Sequence, residues 1–279
     1  MAQILLVEDE RVTRHRIQKM LEEAGYDVSS AANGREALER LDKENFEVVL
    51  LDIWMPEKSG LDVLAEIRKD DMRPRVLVMT ADDTPETILD SIRHEAHRYV
   101  VKPVEPKELL RVVEAALAKP DPAPPIRVLS AEPHWVELAV PCDRGAAERI
   151  QSFLSQLDAD LDSSVRESMG RVFREMLLNA VEWGGELDPT REVRVTYLRA
   201  KKMILYRIAD PGEGFRFEEL DHAAVANPDD PIGHMDSRMK KGIRPGGFGI
   251  VLSQELADEL LYNEARNEVV FIKYLNGKD

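Results

Sequence analysis

The first half of the chain repeats one pattern: a short, nearly continuous apolar run followed by a segment with helical spacing. QILLVED, YDVSSAA, FEVVLLDI, PRVLVMTA and HRYVVKP are the apolar runs. RVTRHRIQKMLEEAG (closed by Gly25), GREALERLDKE, GLDVLAEIRKD and EPKELLRVVEAALAK have the spacing of amphipathic helices. Strands that are apolar on both faces must be covered on both faces. The prediction is a five-stranded parallel, doubly wound α/β sheet. Such a sheet gathers the carboxyl ends of its strands at one edge, and sites form there.

The 279 residues suit two cores, taking ~150 residues per domain. AKPDPAPPIR, residues 118–127, holds four prolines, each of which fixes φ and removes a donor. It reads as a stiff spacer. The expected division is a first domain over 1–119, a proline-rich linker over 120–127 and a second domain over 128–279. A net charge of −15 repels nucleic-acid phosphates, which argues against a direct nucleic-acid partner. The single cysteine, Cys142, excludes an internal disulfide and a cysteine-based zinc cluster. No apolar run reaches the ~20 residues that a bilayer span needs. MAQILLVEDE becomes charged too early for a signal peptide. The expectation is a soluble, cytoplasmic protein with no membrane partner.

The predicted strand ends of the first half carry Glu8 and Asp9, Asp52, Thr80 and Lys102. Three crowded carboxylates repel one another unless a cation sits among them, and oxygen-only ligands suit Mg²⁺. A carboxylate beside that ion can attack a phosphoryl group, while a lysine and a hydroxyl spread the transferred charge.

LLVEDE, VVLLDIWMPEKSGLDVL, VLVMTA and YVVKPV resemble, in order, the motifs of bacterial two-component response regulator receiver domains. The resemblance covers residues 1–119 and implies Asp52 as phosphoacceptor, with a cognate histidine kinase as phosphodonor. It implies that Asp9, Asp52 and the Trp54 carbonyl bind Mg²⁺, with Glu8 acting mostly through water. Lys102 would pair with the phosphoryl group and Thr80 would bond it on switching. Tyr99 would report the state by its rotamer, and Lys102–Pro103 is a candidate cis bond. RHEAHRY departs from the family by replacing a small-residue turn with bulky, basic groups; His94 and His97 are read as surface residues.

In the second half, HWVELAVPCD alternates as a strand, and DRGAAERIQSFLSQL is an amphipathic helix with Asp143 as its N-cap. DSSVRESMGRVFREMLLNAVEWGG is a longer helix ending at Gly184 and Gly185, with Val172, Met176, Ala180 and Trp183 placed to face a core. Glu175 and Asn179, four apart, project from one stripe of it. TREVRVTYLRAKKMILYRIADPGEGF reads as two antiparallel strands running into Asp210, with Gly212 and Gly214 allowing close approach of a flat ligand. Glycines 246, 247 and 249 precede an amphipathic helix in RPGGFGIVLSQELADELLYN, and a helix start attracts phosphate. RNEVVFIKYL closes the sheet.

EMLLNAVEWG, ADPGEGF and PGGFGIVL resemble the three motifs of the GHKL ATPases, the superfamily of histidine-kinase catalytic domains and gyrase. The nearest branch is that of bacterial anti-sigma-factor serine kinases, over residues 128–279. The fold implied is an α+β sandwich, a mixed sheet with helices on one face. The resemblance makes ATP and Mg²⁺ the cofactors, with Asn179 on the metal and Glu175 as general base. Asp210 would accept from the adenine amino group, Gly212 and Gly214 would shape that loop, and Gly247 and Gly249 would admit the phosphates. Trp183-Gly184 stands where the branch has histidine and a small residue. The long polar segment between the last two motifs corresponds to a lid, in which Lys240, Lys241 and Arg244 either reach the phosphates or are surface charge.

Two functions follow from these resemblances. One is a response regulator whose output domain is an anti-sigma-type serine/threonine kinase acting on an anti-sigma-factor antagonist. The other is a non-catalytic, ATP-bound module that sequesters a sigma factor or antagonist. Both allow a homodimer. A hybrid histidine kinase would need a helical hairpin carrying a phosphorylatable histidine; His15 lies on a receiver helix, and PHWVEL around His134 reads as a strand.

Overall fold

The computed structural model describes residues 2–67, 74–81, 84–118, 124–132, 134–158, 160–216 and 248–275. The chain divides into two compact units, Met1–Ala123 and Pro124–Asp279.

The first unit alternates β1 (Gln3–Val7), α1 (Arg11–Glu23), β2 (Asp27–Ala31), α2 (Gly34–Leu41), β3 (Val48–Asp52), α3 (Gly60–Ile67), β4 (Arg75–Thr80), α4 (Pro85–Arg93), β5 (Arg98–Val101) and α5 (Pro106–Leu117). Its sheet has the order β2-β1-β3-β4-β5, every pairing parallel. Ile4, Leu6, Val48, Leu50, Leu77 and Met79 pack with Ile17 and Leu21 of α1 and Leu109, Val112 and Val113 of α5. The intervening Leu5, Val7, Val49, Leu51, Val76 and Val78 are also fully buried. Strands loaded on both faces are what the continuous apolar runs require. The chain reverses direction along this sheet between β2-β1 and β3-β4-β5, so Glu8 and Asp52 end neighbouring strands.

The reading of His97 as a surface residue is corrected: it is 8% exposed. The turn before β5 tightens at Glu95 (φ 57°), and the His97 amide donates to the Val76 carbonyl at 2.7 Å, drawing the residue against the sheet.

The second unit contains β6 (Arg127–Glu132), β7 (Trp135–Pro141), α6 (Arg144–Leu157), α7 (Ser163–Asn179), β8 (Glu192–Ala200), β9 (Met203–Ala209), α8 (Gly249–Leu256), β10 (Glu259–Tyr262) and β11 (Glu268–Tyr274). The sheet order is β10-β11-β9-β8-β7-β6. Every pairing among the described residues is antiparallel, where a mixed sheet was expected: β6-β7, β8-β9 and β10-β11 follow one another directly, α6 and α7 connect β7 to β8, and β11 returns beside β9. Val193, Val195 and Tyr197 on β8 and Ile204, Tyr206 and Ile208 on β9 are buried on one face. Phe173 of α7 meets the Tyr206 ring at 5.1 Å, so the helices cover that face. Asp143 caps α6 as expected, its carboxylate accepting from the Ala146 amide at 2.9 Å.

Three details differ from the sequence reading. Arg127, placed in the linker, begins β6, an edge strand whose register slips between Val128 and Ser130. The helix after Phe248 stops at Leu256, and ELLY forms β10. Trp183 does not enter the core; it is 49% exposed, while Val172, Met176 and Ala180 are buried. The cause is local: after Asn179 the helix widens into a π-turn over Ala180–Gly184, which rotates Trp183 out of the apolar stripe.

Candidate functional site

The carboxyl edge of the parallel sheet brings together the first group of singled-out residues. Glu8 is 2% exposed, Asp52 4% and Thr80 0%, whereas Asp9 is exposed. One carboxylate oxygen from each of Glu8, Asp9 and Asp52 lies within 4.8 Å of the others. The Lys102 ammonium enters from the end of β5 and donates to Glu8 Oε2 at 2.6 Å and Asp52 Oδ2 at 2.7 Å. The Trp54 amide donates to Asp52 Oδ1 at 3.3 Å, and the indole is 61% exposed. The Lys102 amide donates to the Thr80 carbonyl at 2.7 Å, tying the ends of β4 and β5. Lys102–Pro103 is cis, and Tyr99 is buried on β5.

The electrostatics follow from burial. Desolvation pushes the Glu8 carboxyl above its ordinary range, against the Lys102 hydrogen bond and charge, and the Asp52 and Asp9 charges add to the rise. Burial alone would lower Lys102, but its bonds to Asp52 and Glu8 outweigh that and raise it. One half-buried ammonium shared by two carboxylates, with Asp9 beside them, leaves surplus negative charge and oxygen donors. That donor set fits a hard divalent cation. Arg14, which the sequence reading missed, donates to the backbone carbonyls of Glu8 and Asp9 at 2.6 and 3.0 Å and fixes the course of the loop.

In the second unit, Glu175 and Asn179 are half-buried, one turn apart on α7. A Cβ on Gly249 would lie 2.7 Å from Glu175 Oε2, so the start of α8 sits directly against this carboxylate. Asp210 leaves the end of β9. Its Oδ1 accepts from the Gly212 amide at 2.8 Å, and a Cβ on Gly184 would collide with the carboxylate. The π-turn after Asn179 thus delivers Gly184 to Asp210, linking two of the three motifs. Burial raises the Asp210 carboxyl above its ordinary value, opposed by the Gly212 amide and the Arg191 charge. Gly214 has φ +90°, and a Cβ there would strike the Ala265 carbonyl. Gly246, Gly247, Lys240, Lys241 and Arg244 lie outside the described residues. Sequence reading missed Arg191, which donates to the Pro211 carbonyl at 2.9 Å, and Asn267, which donates to the Gly212 carbonyl at 2.8 Å. Asn263 and Asn267 look like turn residues, and nothing in their spacing ties them to a loop more than fifty positions away.

Residues 4–114 match the response regulator receiver domain family, and the first unit is such a receiver. Residues 141–273 match the histidine kinase-like ATPase domain family. The chain therefore joins a response regulator receiver domain to a histidine kinase-like ATPase domain. It is 27% identical over 232 residues to the alkaline phosphatase synthesis transcriptional regulatory protein PhoP of Bacillus subtilis, covering 77% of this chain and 96% of that one. It is 40% identical over 114 residues to the uncharacterized transcriptional regulatory protein YkoG of the same organism, covering 41% of this chain and 50% of that one. Among solved structures, the Thermotoga maritima response regulator TrrA in complex with Mg²⁺-BeF is 38% identical, covering 42% of this chain and 99% of that one, with a TM-score of 0.39. The Vibrio cholerae chemotaxis protein CheY4 is 31% identical, covering 42% and 98%, with a TM-score of 0.41. No helix among the described residues is long and apolar enough to cross a membrane.

Proposed function

We propose that phosphorylation of Asp52 controls the ATPase-like domain, and that this domain is an anti-sigma-type protein serine/threonine kinase. A cognate histidine kinase would be the phosphodonor and an anti-sigma-factor antagonist the protein substrate. The observation that carries the kinase reading is the placing of Glu175, one turn before Asn179 on α7, against the start of α8 at Gly249.

In the receiver, Asp52 would attack the phosphorus of the phosphodonor through a carboxylate oxygen, breaking the donor's bond to phosphorus. Lys102, already bonded to Asp52, would follow the new negative charge onto the phosphoryl oxygens, and Thr80 would donate its hydroxyl to one of them. Bound Mg²⁺ would neutralise charge there, held by Asp9, Asp52 and the Trp54 carbonyl, with Glu8 acting through water.

In the output domain, Asp210 would accept from the adenine amino group, and Gly212, Gly214, Gly247 and Gly249 would give the nucleotide close backbone approach. Asn179 would hold the Mg²⁺ that accompanies ATP. Glu175 would take the proton from a serine or threonine hydroxyl of the partner as its oxygen bonds to the γ-phosphorus and ADP departs.

The test is transfer of label from γ-labelled ATP to candidate antagonists by the full chain. Parent protein should label a serine or threonine of the partner, and Glu175→Gln should lower the rate by about 100-fold or more. Capture of the partner without label by parent and variant alike would replace the kinase reading with that of an ATP-bound sequestering module.

A further inference from the structure

The loop that ends β9 does not hold itself in place. Asp210 Oδ1 is committed to the Gly212 amide, and among the described residues Oδ2 has no hydrogen-bond partner, leaving it as the acceptor for a ligand. Gly184 packs against the carboxylate and Arg191 holds the Pro211 carbonyl, but the hydrogen bonds that grip both ends of the Asp-Pro-Gly turn come from the turn joining β10 to β11, residues 263–267. The Asp210 amide donates to the Asn267 carbonyl at 2.9 Å, and the Asn267 side chain donates Nδ2 to the Gly212 carbonyl at 2.8 Å. Asn267 therefore grips the Asp-Pro-Gly turn at both ends. Its amide cannot reverse, because Asn263 Nδ2 donates to Asn267 Oδ1 at 2.8 Å. Asn263 is held in turn, its Oδ1 accepting from the Glu268 amide at 3.2 Å. Further along, the Phe215 amide donates to the Ala265 carbonyl at 3.2 Å, where Gly214 alone permits the approach.

We infer that the β10–β11 turn, acting through Asn267, positions the Asp210 carboxylate and thereby sets the preference of this domain for adenine over guanine nucleotides. The inference rests on the reading that Asp210 accepts from the adenine amino group. Adenine presents an amino donor where guanine presents a carbonyl acceptor. A carboxylate fixed at that point attracts the first and repels the second. Once the loop can move, the carboxylate can retreat from the guanine carbonyl and the discrimination falls.

The experiment measures affinity of the full chain for ATP and for GTP, with Mg²⁺, in the parent, Asn267→Asp and Asn263→Ala. Asn267→Asp keeps the size of the side chain but cannot donate to Gly212. It should lower the ratio of ATP to GTP affinity about tenfold, the scale of one lost, well-placed hydrogen bond. Asn263→Ala should lower the ratio in the same direction by less, because it only frees the Asn267 amide to turn. A purely structural role would weaken both nucleotides equally and leave the ratio unchanged, which would overturn the inference. Should Asn267→Asp fail to fold, Asn263→Ala decides by the same ratio. If the parent binds neither nucleotide, the assignment of Asp210 fails first and takes this inference with it.

Discussion

Gly184 is as constrained as any core side chain, because the space beside its Cα is filled by the Asp210 carboxylate. Gly184→Ala must either push Asp210 aside or shift the π-turn. Overpacking of this kind costs about 1–3 kcal/mol. The expected result is an ATP affinity reduced about tenfold or more with the fold retained, read by ATP titration alongside a denaturant melt. Asp158 makes a different residue-scale case. It is 3% exposed, and the hydroxyls of Tyr197 and Tyr206 both donate to it at 2.8 Å. Burial holds its carboxyl above the ordinary value of 3.8, against the opposing Tyr206 and Tyr197 bonds and the Arg199 charge. The folded chain therefore keeps this proton to a higher pH than the unfolded chain. Its contribution to stability is fully present below 3.8 and is lost as pH rises through the raised folded value. Asp158→Asn cannot titrate, so it should flatten the fall in urea midpoint as pH rises from about 4.

At the scale of elements, the receiver sheet was legible because β1, β3 and β4 are apolar on both faces and the helices read between the strands on one. The edge strand β2, DVSSA, has no such run, and α4, Pro85–Arg93, was not read from the sequence. The second unit was less so. ELLY continues the apolar spacing of the helix before it, and only its pairing with β11, Leu260 opposite Phe271, makes it a strand. A four-residue strand has no period of its own to read. Trp183 failed for a related reason: a π-turn changes the residues per turn, so a stripe extrapolated from α7 points the wrong way past Asn179. The site followed the same rule. Residues expected at strand ends or on one helix stripe lie at those places, whereas Arg14, Arg191 and Asn267 act through backbone carbonyls that sequence spacing does not register. Asp143 lies on the legible side. Its carboxylate satisfies an otherwise unpaired amide at the start of α6, so Asp143→Ala should cost the second unit about 1 kcal/mol in a urea melt.

At the scale of the molecule, two units with separate cores carry two candidate sites, and the proposed function requires them to communicate. Communication has a thermodynamic measure. If a phosphoryl group on Asp52 changes the affinity of the second unit for ATP, then ATP must change the affinity of the receiver for a phosphoryl mimic by the same factor. Regulatory couplings of this kind are typically about 1–3 kcal/mol, or roughly 5- to 150-fold. The expected outcome is that beryllofluoride with Mg²⁺ shifts the ATP affinity of the full chain within that range. ATP should shift the beryllofluoride affinity equally. Asp52→Asn should abolish the first shift while leaving basal ATP binding intact, because Asp52 belongs to the receiver alone. Paired calorimetric titrations in both orders measure the two factors independently. If both equal one, the switch acts on recruitment of the protein partner and not on the nucleotide. The phosphoryl mimic would then have to change partner affinity at saturating ATP.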